Sequence, residues 1–408
     1  MMAHAANADE STGGVNFSRT LMCERLERIL PDIVARAEQT ENDRRVPQEI
    51  VDALIGAGFF KIVQPAQFGG HEQDFDVLAE LIQDIGAACA STAWVCGLLA
   101  AHQWLLASFS EQAQRDVWEA DPDALLCGSY APAAKAERVD GGYRLTGRWS
   151  FASGCDASSW LAAAALVEPD GGGAPKPAFL LVPRDEWQID DDWHVIGLAG
   201  TGSKSIILAG AFVPAHRILY FEETTTGNTP GARHYSHNPT FTVPMLSNIA
   251  SCLASAGVGA ARGALENYLE AVGSRMTRGA VAGGAARMAE FPTIQIRVAE
   301  AAASVDAAKE ILLRDLRRRA ATARARQPIT VEARIESRRG QAFAVRLALA
   351  ASEALNASTG GQGLMLKNPV QRAWRDVNAV GRHISFNWDA VGSMCGQLEL
   401  GLEPKGQY

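Results

Sequence analysis

Apolar and polar positions change period twice along the chain. From about residue 18 to 125 the apolar positions recur every three to four residues, which gives a helix one buried face. "CERLERILPDIVARAEQTENDRRV" (23–46) carries this stripe. "PQEIVDALIGAGFF" (47–60) begins with proline near a helix N-terminus and closes on glycine. "FDVLAELIQDIGAACASTAWVCGLLAAHQWLLASF" (75–109) is apolar nearly all round, which predicts helices buried between other elements.

From about 126 to 225 the period shortens to that of strands. "GGYRLTGRWSFASG" alternates, "WLAAAALVEPD" ends at "GGGAPKP", and "AFLLVPRDEW" follows. "SKSIILAGAFVPAHRIL" then runs to its own proline. Short strands punctuated by glycine and proline predict a compact barrel or sandwich. From about 243 onward the texture is helical again and rich in alanine. "AGVGAARGALENYLEAVGSRM", "FPTIQIRVAEAAASVDAAKEILLRDLRRR", "ITVEARIESRRGQAFAVRLALAASEALNAS" and "NPVQRAWRDVNAVGRHISFNWDAVG" predict four long helical segments in an antiparallel bundle. Small faces such as "AGVGAARGA" allow helices to approach closely. The expected division is a lead-in over 1–17, a helical domain over 18–125, a β domain over 126–235 and a helical bundle domain over 236–408.

Composition narrows the partners. The 408 residues are 47% hydrophobic and 21% charged, an ordinary globular balance. A net charge of -8 and a pI near 5.6 weigh against nucleic acid or an anionic membrane. The basic run "RDLRRRAATARAR" reads as a solvated helix face. Seven scattered cysteines without CxxC spacing suggest neither zinc nor a disulfide framework, and reduced thiols fit a cytoplasmic protein. The opening "MMAHAANADESTGG" has no signal-peptide pattern, and no apolar run approaches the roughly 20 residues of a membrane span. His234-x-x-His237 lacks a sequence neighbour to complete a metal set, so no metal is expected. Cys155 beside Asp156 should be a sluggish thiol, its pKa raised by the carboxylate.

The element order and three motifs resemble the acyl-CoA dehydrogenase fold over nearly the whole chain. They are "GRWSFASG", "GLAGTGSKSIILAGAFVPAHRIL" and "NPVQRAWRDV". The resemblance implies an α+β architecture: N-terminal helical domain, central β-barrel or sandwich, C-terminal antiparallel four-helix bundle. Acyl-CoA dehydrogenases need a carboxylate for α-proton abstraction. Here Arg375 and Asp376 are followed by "VNAVGRHISFNW" without a carboxylate, and residues 224–265 hold no Asp or Glu. The chain is closer to the flavin-dependent monooxygenases that use this fold, through "STAWV", "HQWLLASFSEQAQRDVW", "SYAP", "FASGCDASSW" and "GLAGTGS".

That closer resemblance implies the oxygenase component of a two-component system. It would take non-covalent reduced flavin (FADH2 or FMNH2) from a separate NAD(P)H-dependent flavin reductase. With O2 it would form a C4a-hydroperoxyflavin and hydroxylate a small aromatic substrate such as a phenol or indole. A homotetramer is implied as well. The alternatives are an acyl-CoA dehydrogenase-type enzyme with a displaced base, and N- or S-oxygenation by the same chemistry.

By resemblance, Ser153 hydrogen-bonds near the flavin N5, and His383 stands beside the oxygen adduct where the dehydrogenases keep their base. His102 and Ser129 belong to the substrate side, although a core histidine with its own partners explains His102 equally. Phe151 shares the flavin wall, because strand alternation puts it on the Ser153 face, together with Trp149. Thr201 and Ser203 position the cofactor, their glycine neighbours allowing a close approach. Arg275 would reach a neighbouring subunit's flavin phosphate, with Arg278 as a rival, and Gln362 of "GQGLMLKNP" lies on a loop near the cofactor.

Overall fold

The computed structural model describes residues 18–169, 172–276 and 286–408. The first helices are α1 Arg19–Ala35, α2 Ala37–Asp43, α3 Gln48–Ala57, α4 Phe75–Ala88, α5 Ala90–Ala107 and α6 Glu111–Trp118. Ser18 caps α1 by accepting from Leu21 N–H. All 18 residues of α5 are buried, as its unbroken apolar sequence demands.

The strands are β1 Leu126–Ser129, β2 Glu137–Val139, β3 Gly142–Ala152, β4 Trp160–Val167, β5 Lys176–Pro183, β6 Trp187–Asp190, β7 Lys204–Pro214 and β8 Ile218–Tyr220. They form two four-stranded sheets, ordered β1-β4-β5-β8 and β2-β3-β7-β6. Among the strand pairs of the described residues, β1 and β4 run parallel and the rest antiparallel. The sheets meet where β1 lies against β3 and β5 against β7.

Short helices α7 Phe221–Thr226 and α8 Pro230–His234 lead into α9 Met245–Gly273, α10 Pro292–Arg324, α11 Val331–Asn356, α12 Pro369–Gly381 and α13 Trp388–Glu399. Helix α9 packs against α4, α5, α10, α11 and α12. Its small residues make this possible: a Cβ on Gly259 would lie 2.3 Å from Gln83 O, and one on Gly263 2.2 Å from Ala87 O. One apolar core runs through both helical regions and the sheets. The α+β, acyl-CoA dehydrogenase-like expectation holds.

The pattern predicted one helical segment across 368–392, and the structure breaks it. After α12 the chain turns through a short 3₁₀ stretch, Ile384–Phe386, capped by the His383 side chain. Asn387 then caps α13 by accepting from Asp389 and Ala390 N–H. Two local caps outcompete helix continuation, and the break presents His383 at a turn.

Candidate functional site

Three elements meet at Ser153, namely the end of β3, the α5 helix and the turn before β7, and the turn after α12 reaches the same place through Trp94. β3 pairs with β7 through Trp149 opposite Ile206, then through Ala152 opposite Lys204. Two residues on β3 thus face Ser205 alone, a bulge that ends regular alternation. Phe151 sits in this bulge with φ of 64°, a left-handed conformation that strains a bulky residue. The bulge corrects the alternation argument. Trp149 is fully buried with its indole N–H on Ala164 O at 2.7 Å. Phe151 is 71% exposed, edge-on to Trp193. Phe151 and Ser153 therefore do not share a face by strand geometry.

Ser153 is buried, and its hydroxyl heads a chain of short contacts. Trp94 Nε1 donates to Ser153 Oγ at 3.1 Å, and Ser153 Oγ lies 2.7 Å from Ser203 Oγ. Ser203 Oγ lies 2.7 Å from Thr201 Oγ1, which donates to Leu198 O at 2.8 Å. Gly154 N–H on Thr201 O ties the end of β3 to the same turn. Leu198 has φ of 54°, and its N–H is taken by the buried Asp376 carboxylate at 2.6 Å. Burial pushes Asp376 up to about 6, while the Leu198 N–H pulls the other way. The Asp of the Arg-Asp element is thus committed to holding a turn.

Close packing, rather than room for a ligand, explains the glycines beside Thr201. A Cβ on Gly200 would meet Thr40 Cγ2 at 2.5 Å, and one on Gly202 would meet Asp156 Oδ2 at 2.7 Å. The expectation that these glycines open the backbone to a cofactor is corrected accordingly. Asp156 itself pairs with Lys204. Cys155 is pushed up to about 12, by burial first and Asp156 second.

His383 stacks edge-on against Trp94, ring centres 5.5 Å apart. Its Nδ1 accepts from Ser385 N–H at 3.2 Å, so the neutral ring carries its proton on Nε2, a donor without a partner among the described residues. Burial, and secondarily the Arg338 guanidinium, lowers its pKa to about 4. Arg338 is itself buried, bonded to Gln341 Oε1 and Ser385 O, and lowered to about 10 by desolvation. No carboxylate hydrogen-bonds to Ser153, Ser203, Thr201 or His383 among the described residues.

His102 lies two turns along α5 from Trp94, about 12 Å at 1.5 Å per residue. Its Nδ1–H donates to Leu126 O at 2.6 Å, and Nε2 accepts from Tyr130 O–H at 2.9 Å. Burial lowers it to about 4 and raises Tyr130. Ser129 donates to Ser150 O at 2.8 Å, joining β1 to the bulged part of β3.

Arg275 and Gln362 form a separate group. Arg275 donates to Thr359 O at 2.7 Å, beside the loop Gly360–Leu364, on which Gln362 is exposed. No hydrogen bond joins either residue to the Ser153 chain among the described residues. The rival Arg278 lies outside the described residues. His234 and His237 point to different partners, Gln67 and Glu72 respectively. Sequence reasoning missed Trp94 and Tyr130. An obligate donor on the His102 face of α5, and a phenol directly after Ser129, were the available signals.

Two family models match this chain: "Acyl-CoA dehydrogenase, N-terminal domain" over residues 9–120 and "Acyl-CoA dehydrogenase, C-terminal domain" over 251–388. Over 376 residues it is 61% identical to the oxygenase component of an FADH2-dependent resorcinol hydroxylase from Rhizobium sp. (strain MTP-10005), covering 91% of this chain and 92% of that one. The chain belongs to the flavin-dependent monooxygenases. Another monooxygenase of this kind, the oxygenase subunit HsaA of Rhodococcus jostii, is 36% identical, with 93% and 98% covered. The crystal structure of a 3-HSA hydroxylase from Rhodococcus sp. RHA1 superposes with a TM-score of 0.89 at 35% identity, covering 95% and 98%. XiaF from Streptomyces sp., solved with FADH2 and glycerol, gives 0.86 at 26%, covering 95% and 97%. No described helix is long and apolar enough to cross a membrane.

Proposed function

We propose that this monooxygenase hydroxylates a small phenol of the resorcinol type, taking reduced flavin (FADH2 or FMNH2) from a separate reductase and oxygen from O2. One aromatic C–H becomes C–OH, and the second oxygen atom leaves as water, with two electrons and two protons supplied. The observation that carries this reading is the polar pair formed by the Ser153 hydroxyl and the His383 Nε2–H donor. It is free of carboxylates, with Ser153 buried and His383 half-buried, which suits an oxygen-derived anion and does not suit α-proton abstraction from a thioester.

Reduced flavin, when bound, supplies the electrons that activate O2. The residues that would hold it are Ser153 beside its ring, with Ser203 and Thr201 positioning the cofactor through Ser153, Phe151 at the exposed edge, and Arg275 with Gln362 toward its phosphates. His383 holds a proton at Nε2, ready to donate to a developing oxygen anion. Desolvation first, and the Arg338 cation second, keep that ring neutral without taking the proton away. His102, Tyr130 and Ser129 line the substrate side, with Tyr130 as the group that would meet the phenol and His102 behind it. Arg275, just after α9 and bonded to Thr359 O, suits a homotetramer in which this group serves a neighbouring copy, as do the exposed Leu364, Met365 and Leu366 on the adjoining segment.

The test mixes the protein anaerobically with reduced FAD or FMN, then adds O2 and resorcinol. An oxygen-dependent absorbing transient and a trihydroxybenzene product are expected. Absence of both, with flavin bleached by an acyl-CoA instead, would give the dehydrogenase reading.

A further inference from the structure

The hydrogens of the Ser153 chain have one arrangement that satisfies every contact. The Trp94 indole nitrogen can only donate, and it donates to Ser153 Oγ. The Leu198 carbonyl can only accept, and it takes the single Thr201 proton. The contact between Thr201 and Ser203 is therefore filled by the Ser203 proton. Ser203 then has none left, so its contact with Ser153 is filled by the Ser153 proton. Every proton runs the same way, from Trp94 toward Leu198, and aligned chains of this kind strengthen each bond.

Ser153 is left with one lone pair and no hydrogen to offer. It can accept from a ligand, and it can donate only if the whole chain reverses. Leu198 O also accepts from Trp193 Nε1–H and Thr201 N–H, so reversal does not orphan it. Reversal replaces the Thr201 O–H bond with two facing lone pairs at 2.8 Å, a penalty equivalent to about tenfold in affinity. The Leu198 peptide cannot readily turn to compensate. Its N–H is held by Asp376, and a Cβ on the preceding Gly197 would lie 2.3 Å from Arg375 O.

We infer that Trp94, Ser203 and Thr201 are positioning residues that fix Ser153 as an acceptor, so that the site selects reduced over oxidised flavin. The reduced ring presents N5–H, whereas the oxidised ring presents a bare N5 lone pair toward the Ser153 lone pair. This inference rests on the proposed placement of Ser153 beside the flavin ring. It assigns the selectivity to residues that do not themselves touch the cofactor.

Dissociation constants for FAD and anaerobic FADH2, read by protein fluorescence, test the inference without turnover. The wild-type protein should bind FADH2 more tightly than FAD. In Ser203→Ala and Thr201→Val the ratio should fall by about tenfold, because Ser153 regains a free proton. Thr201→Ser keeps the relay and should keep the ratio. For the unmutated protein, reduced 5-deaza-FAD, which has carbon in place of N5, should lose the advantage over its oxidised form. An unchanged ratio in both variants, or an unchanged advantage for reduced 5-deaza-FAD, would overturn the relay while leaving the monooxygenase reading intact. Failure of the wild-type protein to bind either flavin would overturn both.

Discussion

Two histidines, His102 buried and His383 half-buried, serve the same fold in opposite ways. His102 and His383 are both neutral, and burial lowers both to about 4. Around His102 every valence is used inside the chain: Nδ1–H on Leu126 O, and Nε2 receiving Tyr130 O–H. Around His383 one nitrogen caps a turn and the other keeps an uncommitted N–H. Ser153, reached through Trp94, keeps an uncommitted lone pair. A displaced pKa therefore does not separate the two pockets. Unspent hydrogen-bonding capacity does, and it marks the Ser153–His383 side as the one prepared for an incoming ligand.

Stability should break the symmetry first. His102→Leu orphans the buried Leu126 carbonyl and Tyr130 hydroxyl, at about 1–3 kcal/mol for each group. Its denaturant midpoint should fall accordingly, whereas His383→Leu loses one bond at a turn and should cost less than about 1 kcal/mol. Equal losses in the two variants would erase the distinction between a closed and an open pocket.

A smaller effect follows from titration. A histidine whose folded pKa lies below its unfolded value binds fewer protons when folded. Its contribution is fully present above pH 6.5 and is lost as pH falls toward 4. The shift of His102 from 6.5 to about 4 corresponds to at most about 3–4 kcal/mol. Between pH 6.5 and 4 the wild-type protein should lose stability, and His102→Leu should lose less over the same interval. Parallel pH profiles would mean that His102 is solvated, and so not closed.

Much of the fold was legible because it rests on period. The all-buried α5, the two short-strand sheets and the alanine-rich bundle each follow from spacing alone. The glycines of α9 also behave as read, letting α4 approach. What failed depended on departures from period. The Phe151 bulge is invisible to alternation, because one inserted residue leaves the residue types unchanged. The break after α12 comes from caps at His383 and Asn387, whose local bonds a helical pattern does not weigh. Glycines 200 and 202 were read as space for a cofactor, although Thr40 and Asp156 fill that space from distant parts of the chain. The partnership of Trp94 with Ser153 joins residues 59 apart in sequence. Tyr130 was passed over because its neighbour Ser129 carried the resemblance.

The most direct test of the open pocket is the yield of hydroxylated product per reduced flavin oxidised, measured for His383→Leu beside the wild-type protein. Removing a donor aimed at developing charge typically costs 10²–10³ in rate. The yield should therefore fall at least roughly tenfold, with the rest of the flavin oxidising without product, while FADH2 affinity stays within a few-fold. An unchanged yield in a folded, flavin-binding His383→Leu would contradict the account, because the uncommitted N–H would then have no part in the reaction.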